Sequence, residues 1–338
     1  MQHEIVKSAA LLDKNGNIAE PGWARSLISR YSRADIKAHP LRIKEWDYYL
    51  ISNDRFALAL TIADNGYMGL ISASVLDFEK PWEQTTSVVT AFPMGKYKLP
   101  ETSAAGVTSY TDSRVNMRFE TANGVRRISC VFHKFLREET LEAELTLTDE
   151  PQHSMVIATP FEKPKAFYYN QKINCMRADG SMRLGGETYD FSEEDSFATL
   201  DWGRGVWTYD NTWYWGNGNG TVNGHRVGFN IGYGFGDTSA ASENMIIYDG
   251  TAHKLSKVSF NIPADSYTKP WTFTSDDGRF EMDFVPVIDR AARTNALIIE
   301  SDQHQVFGRF TGKMVLDGGD VIELKDFMGF AEKVHNRY

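Results

Sequence analysis

The stretch "DRFALALTIADNGYMGLISASV", residues 54–75, carries the pattern that decides the fold class. Large apolar residues alternate with smaller ones from Phe56 to Ile62, an Asp-Asn-Gly triplet interrupts the run, and apolar residues resume at Tyr67. Alternation with a period of two is typical of a strand, and an Asn-Gly pair between two such runs favours a tight turn. We therefore predict an antiparallel hairpin here.

The same pattern recurs along the chain. Residues 113–133 alternate on both sides of an Asn-Gly pair, and "TLEAELTLT", residues 140–148, places Leu and Ala on one face and Thr and Glu on the other. Further turn signals are Asp179-Gly180, Gly185-Gly186, Asn223-Gly224, Asp249-Gly250, Asp277-Gly278 and Gly318-Gly319. Serial hairpins close most naturally as barrels or sandwiches, because closure removes exposed sheet edges. We predict an all-β chain of two tandem antiparallel barrel or sandwich halves with few short helices.

The expected division of the chain rests on length and on proline positions. A chain of 338 residues exceeds what one hydrophobic core usually spans. One helix is predicted within residues 20–36, where Trp23, Leu27 and Tyr31 recur every fourth position, and three prolines interrupt the strand rhythm within residues 149–167. The predicted parts are an N-terminal segment with one helix over residues 1–40, a first β half over 41–155 and a second over 156–338.

The composition argues against several classes of function. The net charge is −9 with no block of Lys and Arg, which argues against nucleic acid or an anionic membrane as the main partner. Cys130 and Cys175 are too few for a disulfide framework, and no run approaches the ~20 apolar residues of a membrane span. Metal-ligand and phosphate-loop motifs are absent from the sequence, so we expect no metal and no cofactor. The expectation is a soluble cytoplasmic protein, and its oligomeric state stays open.

A second stretch, "LDWGRGVWTYDNTWYWGNGNG", residues 200–220, holds four of the eight tryptophans. Strand periodicity puts Trp202 and Arg204 on one face, where an arginine can stack on an indole or present its fork to an anion or carbonyl. Two interpretations stay open: the wall of a ligand site, or a core cluster in which Arg204 pairs with a buried carboxylate near Asp201. The candidate ligand-binding residues here are Trp202, Arg204, Trp207, Trp213 and Trp215.

The next stretch, "GHRVGFNIGYGFGD", residues 224–237, places most of its glycines on one strand face. Repeated glycine on one face indicates a bulky group close to the backbone, either a ligand or the tryptophan cluster. Polar residues then recur within apolar strands, and a buried carboxyl group among them would have a raised pKa suited to a general acid. For each one the alternative is a buried polar residue with satisfied hydrogen bonds. The candidate catalytic residues are Asp237, Glu243 and His304, and the further ligand-binding candidates are Tyr233, Asn244 and Gln305.

An ordered set of motifs, DWGRGVW, WYWGNG, GFNIGYGFGD, YDGTAHKL, DGRFEMDFVP and GFAEKVHNR, resembles the domain-of-unknown-function family 2804, whose members are mostly bacterial. That family is similar to lipocalin-like proteins of the AttH and carotenoid-hydratase group, in which two barrel-like halves pack together and an apolar ligand lies in or between them. The resemblance implies a tandem lipocalin-like architecture. It also implies hydration, cyclisation or isomerisation of unsaturated lipids without a cofactor, and it carries no catalytic residue over to this chain.

Three functions follow as hypotheses. In the first, a lyase or isomerase of the hydratase or cyclase type, Asp237 or Glu243 protonates a double bond of an apolar, unsaturated molecule, the aromatic rings stabilise the cation, and His304 positions water or accepts a proton. In the second, the same cavity serves a non-catalytic carrier of a lipid or other small molecule. In the third, the tryptophans and acids bind or cleave a carbohydrate, as stacked rings and paired carboxylates do in glycosidases.

Overall fold

A computed structural model of the chain describes residues 2–296 and 299–337. Two curled antiparallel sheets make up most of it, and the helical segments in these residues are two short 3-10 turns, Arg33–Asp35 and Pro40–Arg42. The prediction of an all-β chain with two antiparallel half-barrels is confirmed. None of the described helices has the length or the apolar character needed to cross a membrane.

The first half-barrel is a sheet of thirteen strands within the described residues. Its strands are β1 (Gly22–Ala24), β2 (Ile43–Ser52), β3 (Phe56–Asp64), β4 (Met68–Asp77), β5 (Trp82–Ala91), β6 (Gly106–Thr111), β7 (Val115–Ala122), β8 (Val125–Leu136), β9 (Glu139–Thr148), β10 (Met155–Pro160), β11 (Phe167–Leu184), β12 (Glu187–Phe191) and β13 (Phe197–Val206). The main path runs β5-β4-β3-β2-β13-β11-β9-β8-β7-β6, with β1, β10 and β12 attached beside it. The hairpin predicted over residues 54–75 is the β3–β4 pair.

The second half-barrel is a sheet of nine strands in the described part of the chain. Its strands are β14 (Asp210–Val222), β15 (His225–Tyr233), β16 (Met245–Tyr248), β17 (Thr251–Lys254), β18 (Val258–Asn261), β19 (Trp271–Ser275), β20 (Phe280–Ala296), β21 (Ile299–Val315) and β22 (Val321–Arg337). The order is β17-β16-β15-β14-β22-β21-β20-β19-β18, so β22 returns to lie beside β14. The side chains of residues 294–296 and 299 are not described.

The chain passes from the first sheet to the second between Val206 and Asp210. The sequence placed the second half from residue 156 onward, yet β10, β11 and β13 all belong to the first sheet. Pro160 is the last residue of β10, paired with Phe167, a strand-end position at which proline is tolerated. Where the independently folding units divide stays a prediction.

The helix predicted within residues 20–36 is wrong. Trp23 lies in β1 and pairs with Ile157 of β10, and the only helical turn in this stretch is Arg33–Asp35. The spacing of four arises from contacts with different cores: Trp23 of β1 packs between the two sheets, whereas Tyr31 packs inside the first half-barrel and meets the Trp202 ring edge-on at 6.1 Å. Tertiary packing, not helical periodicity, explains the pattern.

Four apolar cores result from the alternation of side chains in the two sheets. One core fills each half-barrel, and two more contain residues from both sheets and therefore lie between the halves. In β13 the even-numbered residues, Trp202 among them, point into the first half-barrel, whereas Asp201 and Gly203 face the second sheet. Trp46 and Trp213 pack against both inter-sheet cores, so these two cores are joined through the two rings.

Candidate functional site

Trp202 and Arg204 lie in the core of the first half-barrel. The Arg204 guanidinium carbon lies 4.1 Å from the Trp202 ring centroid, and both side chains are fully buried. Arg204 Nη1 lies 3.0 Å from Asp47 Oδ1 and its Nε lies 3.9 Å from Glu45 Oε1. The core interpretation therefore fits these two residues, and the buried carboxylates that pair with Arg204 lie on β2 and not near Asp201.

The other three tryptophans of this stretch lie between the half-barrels. Trp207 meets Trp46 and Trp213 edge-on, with ring centroids 5.3 Å and 5.7 Å away. Phe235 packs against the rings of both Trp207 and Trp213. A Cβ on Gly203 would overlap the Trp46 indole, so this glycine lets the ring lie flat on β13. The result is an aromatic wall shared by both sheets.

Beside this wall, strand register places two rows of polar residues between the sheets. In the first sheet, Lys172, Asp201 and Tyr48 are direct cross-strand partners on β11, β13 and β2. In the second sheet, a matching row crosses β14, β22, β21 and β20. Its members are Trp215, Glu332, Gln305 and Arg290. We call these seven residues the inter-sheet cluster.

Lys172 joins the two rows. Its Nζ lies 2.8 Å from Asp201 Oδ1 and 3.9 Å from the centroid of the Trp215 ring across the gap. Asn170 donates a further hydrogen bond to the same Asp201 oxygen at 2.6 Å. A paired and hydrogen-bonded ammonium lying against an indole face satisfies a charge that would otherwise be costly to bury. The Trp215 indole N–H in turn donates to Asn230 Oδ1 at 2.7 Å.

Glu332 is the most perturbed acid of the inter-sheet cluster. Burial raises the pKa of its carboxyl from 4.5 to about 7, opposed by the hydrogen bond from Trp213 and by the charges of Lys172 and Arg290. The Trp213 indole N–H donates to Oε1 at 3.0 Å, and the Gln305 amide donates to Oε2 at 3.1 Å. Desolvation outweighs these favourable contacts because no cationic side chain in the described part of the chain forms an ion pair with the carboxyl group. A pKa of about 7 places the titration of Glu332 near neutral pH.

A second acid with a raised pKa lies at the same interface. Burial raises the pKa of the Glu243 carboxyl, while Lys172 and Lys254 lower it and Asp201 raises it further. Its side chain covers Gly232 of β15, where a Cβ would lie 2.8 Å from the carboxyl carbon. Glu243 and Glu332 both respond to the Lys172–Asp201 pair, so the interface holds two acids of raised pKa around one ion pair.

The structure separates the predicted catalytic residues. Asp237 is exposed, and its pKa is lowered because its carboxylate accepts a hydrogen bond from the backbone N–H of Ser239. His304 faces away from Gln305 on β21, binds Asp289 with 2.7 Å between Nδ1 and Oδ2, and stacks on another ring at 3.7 Å. Neither residue is part of the inter-sheet cluster, whereas Glu243 lies beside it.

Of the predicted ligand-binding residues outside the tryptophan-rich stretch, one belongs to the inter-sheet cluster and two do not. Gln305 belongs to the inter-sheet cluster, where its Nε2 contacts Glu332. Tyr233 stacks on Tyr214 at 4.4 Å and packs against the core of the second half-barrel. Asn244 is fully buried and ties two backbone segments together, accepting from the Gly232 N–H at 2.6 Å and donating to a carbonyl at 2.7 Å.

The glycine-faced strand β15 does not accommodate the tryptophans. A Cβ on Gly228 would meet the Cys175 sulfur, and one on Gly232 would meet Glu243, so these glycines make room for side chains between the sheets. The prediction of a bulky group against this face holds, but its identity differs. Glycines that accommodate tryptophans lie instead on β13, where Gly203 faces Trp46 and Gly205 faces Trp207.

Two cavities formed by the described residues lie away from the inter-sheet cluster. One of about 210 Å³ is an acidic surface cleft beside Phe56 and Tyr189, and one of about 10 Å³, enough for a single water, lies inside the first half-barrel beside Trp202. Neither is lined by Lys172 or Glu332. Across residues 2–296 and 299–337, no three His, Cys, Asp or Glu side chains are grouped as metal ligands would be.

Sequence reasoning missed Lys172, Glu332 and Tyr48. A usable signal existed for Lys172, which is the only charged residue between Phe167 and Met176, the buried first part of β11. Glu332 likewise follows directly after three buried residues, Gly329, Phe330 and Ala331, in the last strand. An isolated charge inside a buried strand needs a partner, which makes it a candidate for a site.

Comparison with known proteins gives a family and a fold. The model of a family described as a domain of unknown function, DUF2804, matches residues 2–338. A crystal structure of an AttH-like protein from Nitrosomonas europaea aligns with a TM-score of 0.51 and 13% identity, covering 90% of this chain and 96% of that one. Kievitone hydratase from Nectria haematococca aligns with a TM-score of 0.47 and 10% identity over 98% of both chains. A search of curated protein sequences finds no match.

Proposed function

Because this chain belongs to the DUF2804 family, which is defined by sequence and not by an activity, we propose its function from the site itself. A small, apolar, unsaturated molecule binds between the half-barrels, where the packed side chains move apart to admit it, and is converted there by acid catalysis. The observation that carries the proposal is Glu332, a buried carboxyl with a pKa of about 7 that is hydrogen-bonded to an indole in an aromatic wall. The lipocalin-like fold of the AttH-like neighbour agrees with this architecture.

Glu332 suits the role of general acid. A group whose pKa lies near the working pH is present in its protonated form and still transfers its proton readily. Glu332 would deliver that proton to one carbon of a double bond, whose π electrons form the new C–H bond and leave a cation on the neighbouring carbon. The carboxylate left behind keeps its hydrogen bonds from Trp213 and Gln305, and these bonds stabilise the charged form.

The aromatic wall suits the cationic intermediate. Indole faces attract cations, and the ammonium of Lys172 against Trp215 shows that this face already does so. The cation would then follow one of two balanced courses. It adds water, whose extra proton passes to a base, or it loses a proton from an adjacent carbon. Glu243, the second acid at the interface, is the proposed acceptor in its ionised form.

The experiment starts from whatever molecule the protein retains on gentle purification, identified by native mass spectrometry and extraction. The extracted molecule is returned to protein in D₂O buffer, and its mass is followed. An acid that protonates carbon introduces deuterium or one molecule of water, and Glu332→Gln abolishes either change. Glu323→Gln, an exposed glutamate on the same strand, serves as the matched control and keeps wild-type rates.

Two results would overturn the catalytic part of the proposal. A retained molecule whose mass stays unchanged with wild-type protein indicates the carrier function instead. Unchanged turnover in Glu332→Gln removes Glu332 from the mechanism. A retained molecule that is a sugar would favour the carbohydrate alternative, although the buried position of Glu332 does not offer the open groove that glycosidases present to their substrates.

A further inference from the structure

One end of the first half-barrel presents an exposed apolar patch with lysines at its border. It is built from residues 39–42, the turn at residues 64–68 and the segment 89–98, which together we call the tip. Val89, Phe92 and Met94 are exposed by 61%, 54% and 41%. Large apolar side chains this exposed and this close in sequence mark an interaction surface more often than chance exposure.

The tip is held in place and is not a loose loop. The backbone N–H of Phe92 donates to the Tyr67 carbonyl at 2.9 Å, and that of Met94 donates to the Gly66 carbonyl at 3.3 Å. The buried Asp64 carboxylate accepts from Gly95 N at 2.6 Å and from the Gly66 N–H at 3.0 Å. Several hydrogen bonds therefore fix the backbone of the tip in a conformation that leaves its apolar side chains exposed.

The backbone of the tip is also strained. Phe92, Met94 and Lys98 have φ angles of 50°, 47° and 52°, in the left-handed region that bulky side chains avoid. Glycine or asparagine would relieve this strain, and a soluble surface would tolerate either one. Strain at an exposed apolar position indicates that the side chain serves a purpose outside the folded chain.

The charge of the tip is opposite to that of the whole protein. The protein carries a net charge of −9, yet the only acid in the three segments is Asp64, which is fully buried. Lys96, Lys98 and His39 are exposed there. Two acids outside these segments, Glu101 and Asp112, lie beside the tip, and both accept hydrogen bonds from neighbouring groups. Because charges beyond about 8–10 Å are screened at physiological salt, an approaching surface responds to the exposed lysines together with these two acids.

We propose that the tip docks on an anionic lipid bilayer, with Phe92 and Met94 inserted into the headgroup region and Lys96 and Lys98 against the lipid phosphates. Apolar side chains beside lysines are the combination that interfacial anchors use. Two lysines and two apolar side chains give weak, reversible binding, which suits a protein that visits the membrane rather than residing in it. This inference does not depend on the reaction proposed for Glu332.

A second copy of the chain, paired with the edge of β5, is the alternative occupant of the tip. Among the described strands β5 ends the sheet order and pairs with β4 alone, and its Thr86 hydroxyl donates to the Phe135 carbonyl of β8, so a second copy of the chain could add only to the part of β5 beyond that contact. The lysines argue against that occupant, since two copies meeting at the tip would bring like charges together. A dimer is therefore one of the outcomes that the test must detect.

The test is co-sedimentation of the full chain with vesicles of phosphatidylcholine alone or of phosphatidylcholine with phosphatidylserine. We expect binding only to the anionic vesicles, and weaker binding as salt increases. Phe92→Asn with Met94→Asn removes the apolar contacts, and asparagine accepts the left-handed backbone, so the variant keeps its melting temperature. This double variant should lose vesicle binding at least fivefold. Lys96→Gln with Lys98→Gln should lose it roughly thirtyfold, since each lysine near an anionic surface contributes roughly fivefold.

The matched control is Val285→Asn, which removes an equally exposed apolar side chain from the second half-barrel and leaves binding unchanged. Absence of binding by the wild-type protein to phosphatidylserine vesicles overturns the proposal. Equal binding by the wild type and the Phe92→Asn, Met94→Asn variant also overturns it. A change of oligomeric state in that variant, measured by sedimentation, shows instead that a second copy occupies the tip.

Discussion

Replacement of Glu332 by glutamine tests whether this buried acid is neutral in the folded protein. In the unfolded chain the carboxyl ionises near its ordinary pKa of 4.5, and in the folded chain burial raises that pKa to about 7. Between these values the unfolded state releases a proton that the folded state keeps. The wild-type protein therefore loses stability as the pH rises from about 4.5 to about 7, whereas the glutamine variant has no proton to lose.

The magnitude follows from the change in ionisation. A tenfold change in the ionisation constant corresponds to about 1.4 kcal/mol, so the shift of the Glu332 pKa from 4.5 to about 7 costs about 3 kcal/mol once the carboxyl is charged. Glutamine keeps the acceptor for the Trp213 indole. Its amide nitrogen takes the place of Oε2, which accepts from Gln305 Nε2, and a turn of the Gln305 amide lets Oε1, which makes no hydrogen bond in the described structure, accept from it. The substitution should therefore be nearly neutral at low pH.

The measurement is urea unfolding of wild type and Glu332→Gln at about pH 5 and about pH 8. We expect the free energy of unfolding of the variant, relative to wild type, to be higher at about pH 8 than at about pH 5 by about 2–3 kcal/mol. The control Glu323→Gln, exposed on the same strand, should change by less than about 0.5 kcal/mol at either pH. A difference between variant and wild type that does not vary with pH would refute the neutral-acid argument and, with it, the proposed general acid.

Two further predictions concern how the inter-sheet region is built. Gly203→Ala should destabilise the protein by about 3 kcal/mol or more in urea unfolding, because the new methyl group overlaps the Trp46 ring, while Gly318→Ala on an open turn should cost under about 1 kcal/mol. Lys172→Met should cost about 3–5 kcal/mol by leaving Asp201 as an unpaired buried charge. Adding Asp201→Asn should recover most of that loss, and a double variant as unstable as the single one would contradict the pairing.

Local pattern was sufficient for the strands and for side-chain alternation within a strand. The alternation from Phe56 to Ile62 and the Asn-Gly pair after it specify the β3–β4 hairpin without help from the rest of the fold. The same periodicity put Trp202 and Arg204 on one face, as observed. It could not show that this face is the interior of the first half-barrel, because both faces of β13 are buried.

The helix predicted within residues 20–36 shows the limit of periodicity. Apolar residues at a spacing of four satisfy a helical template, but Trp23 and Tyr31 are placed by contacts with β10 and with Trp202, both distant in sequence. The acid candidates show the same limit. Asp237 and Glu243 are six positions apart in the chain, yet a short hydrogen-bonded turn exposes the first and the inter-sheet packing buries the second.

The sequence by itself determined the all-β class, the hairpins and the concentration of tryptophans near residue 210, because these depend on neighbours within a few positions. Only the tertiary structure decided which acids lie in a low-dielectric site. Lys172 and Glu332 are 160 positions apart, and the Lys172 charge comes close enough to lower the Glu332 pKa because β11 and β14 face each other across two curled sheets while β22 returns beside β14. The pKa of Glu332 is raised by that burial, and no pattern within its own strand specifies it.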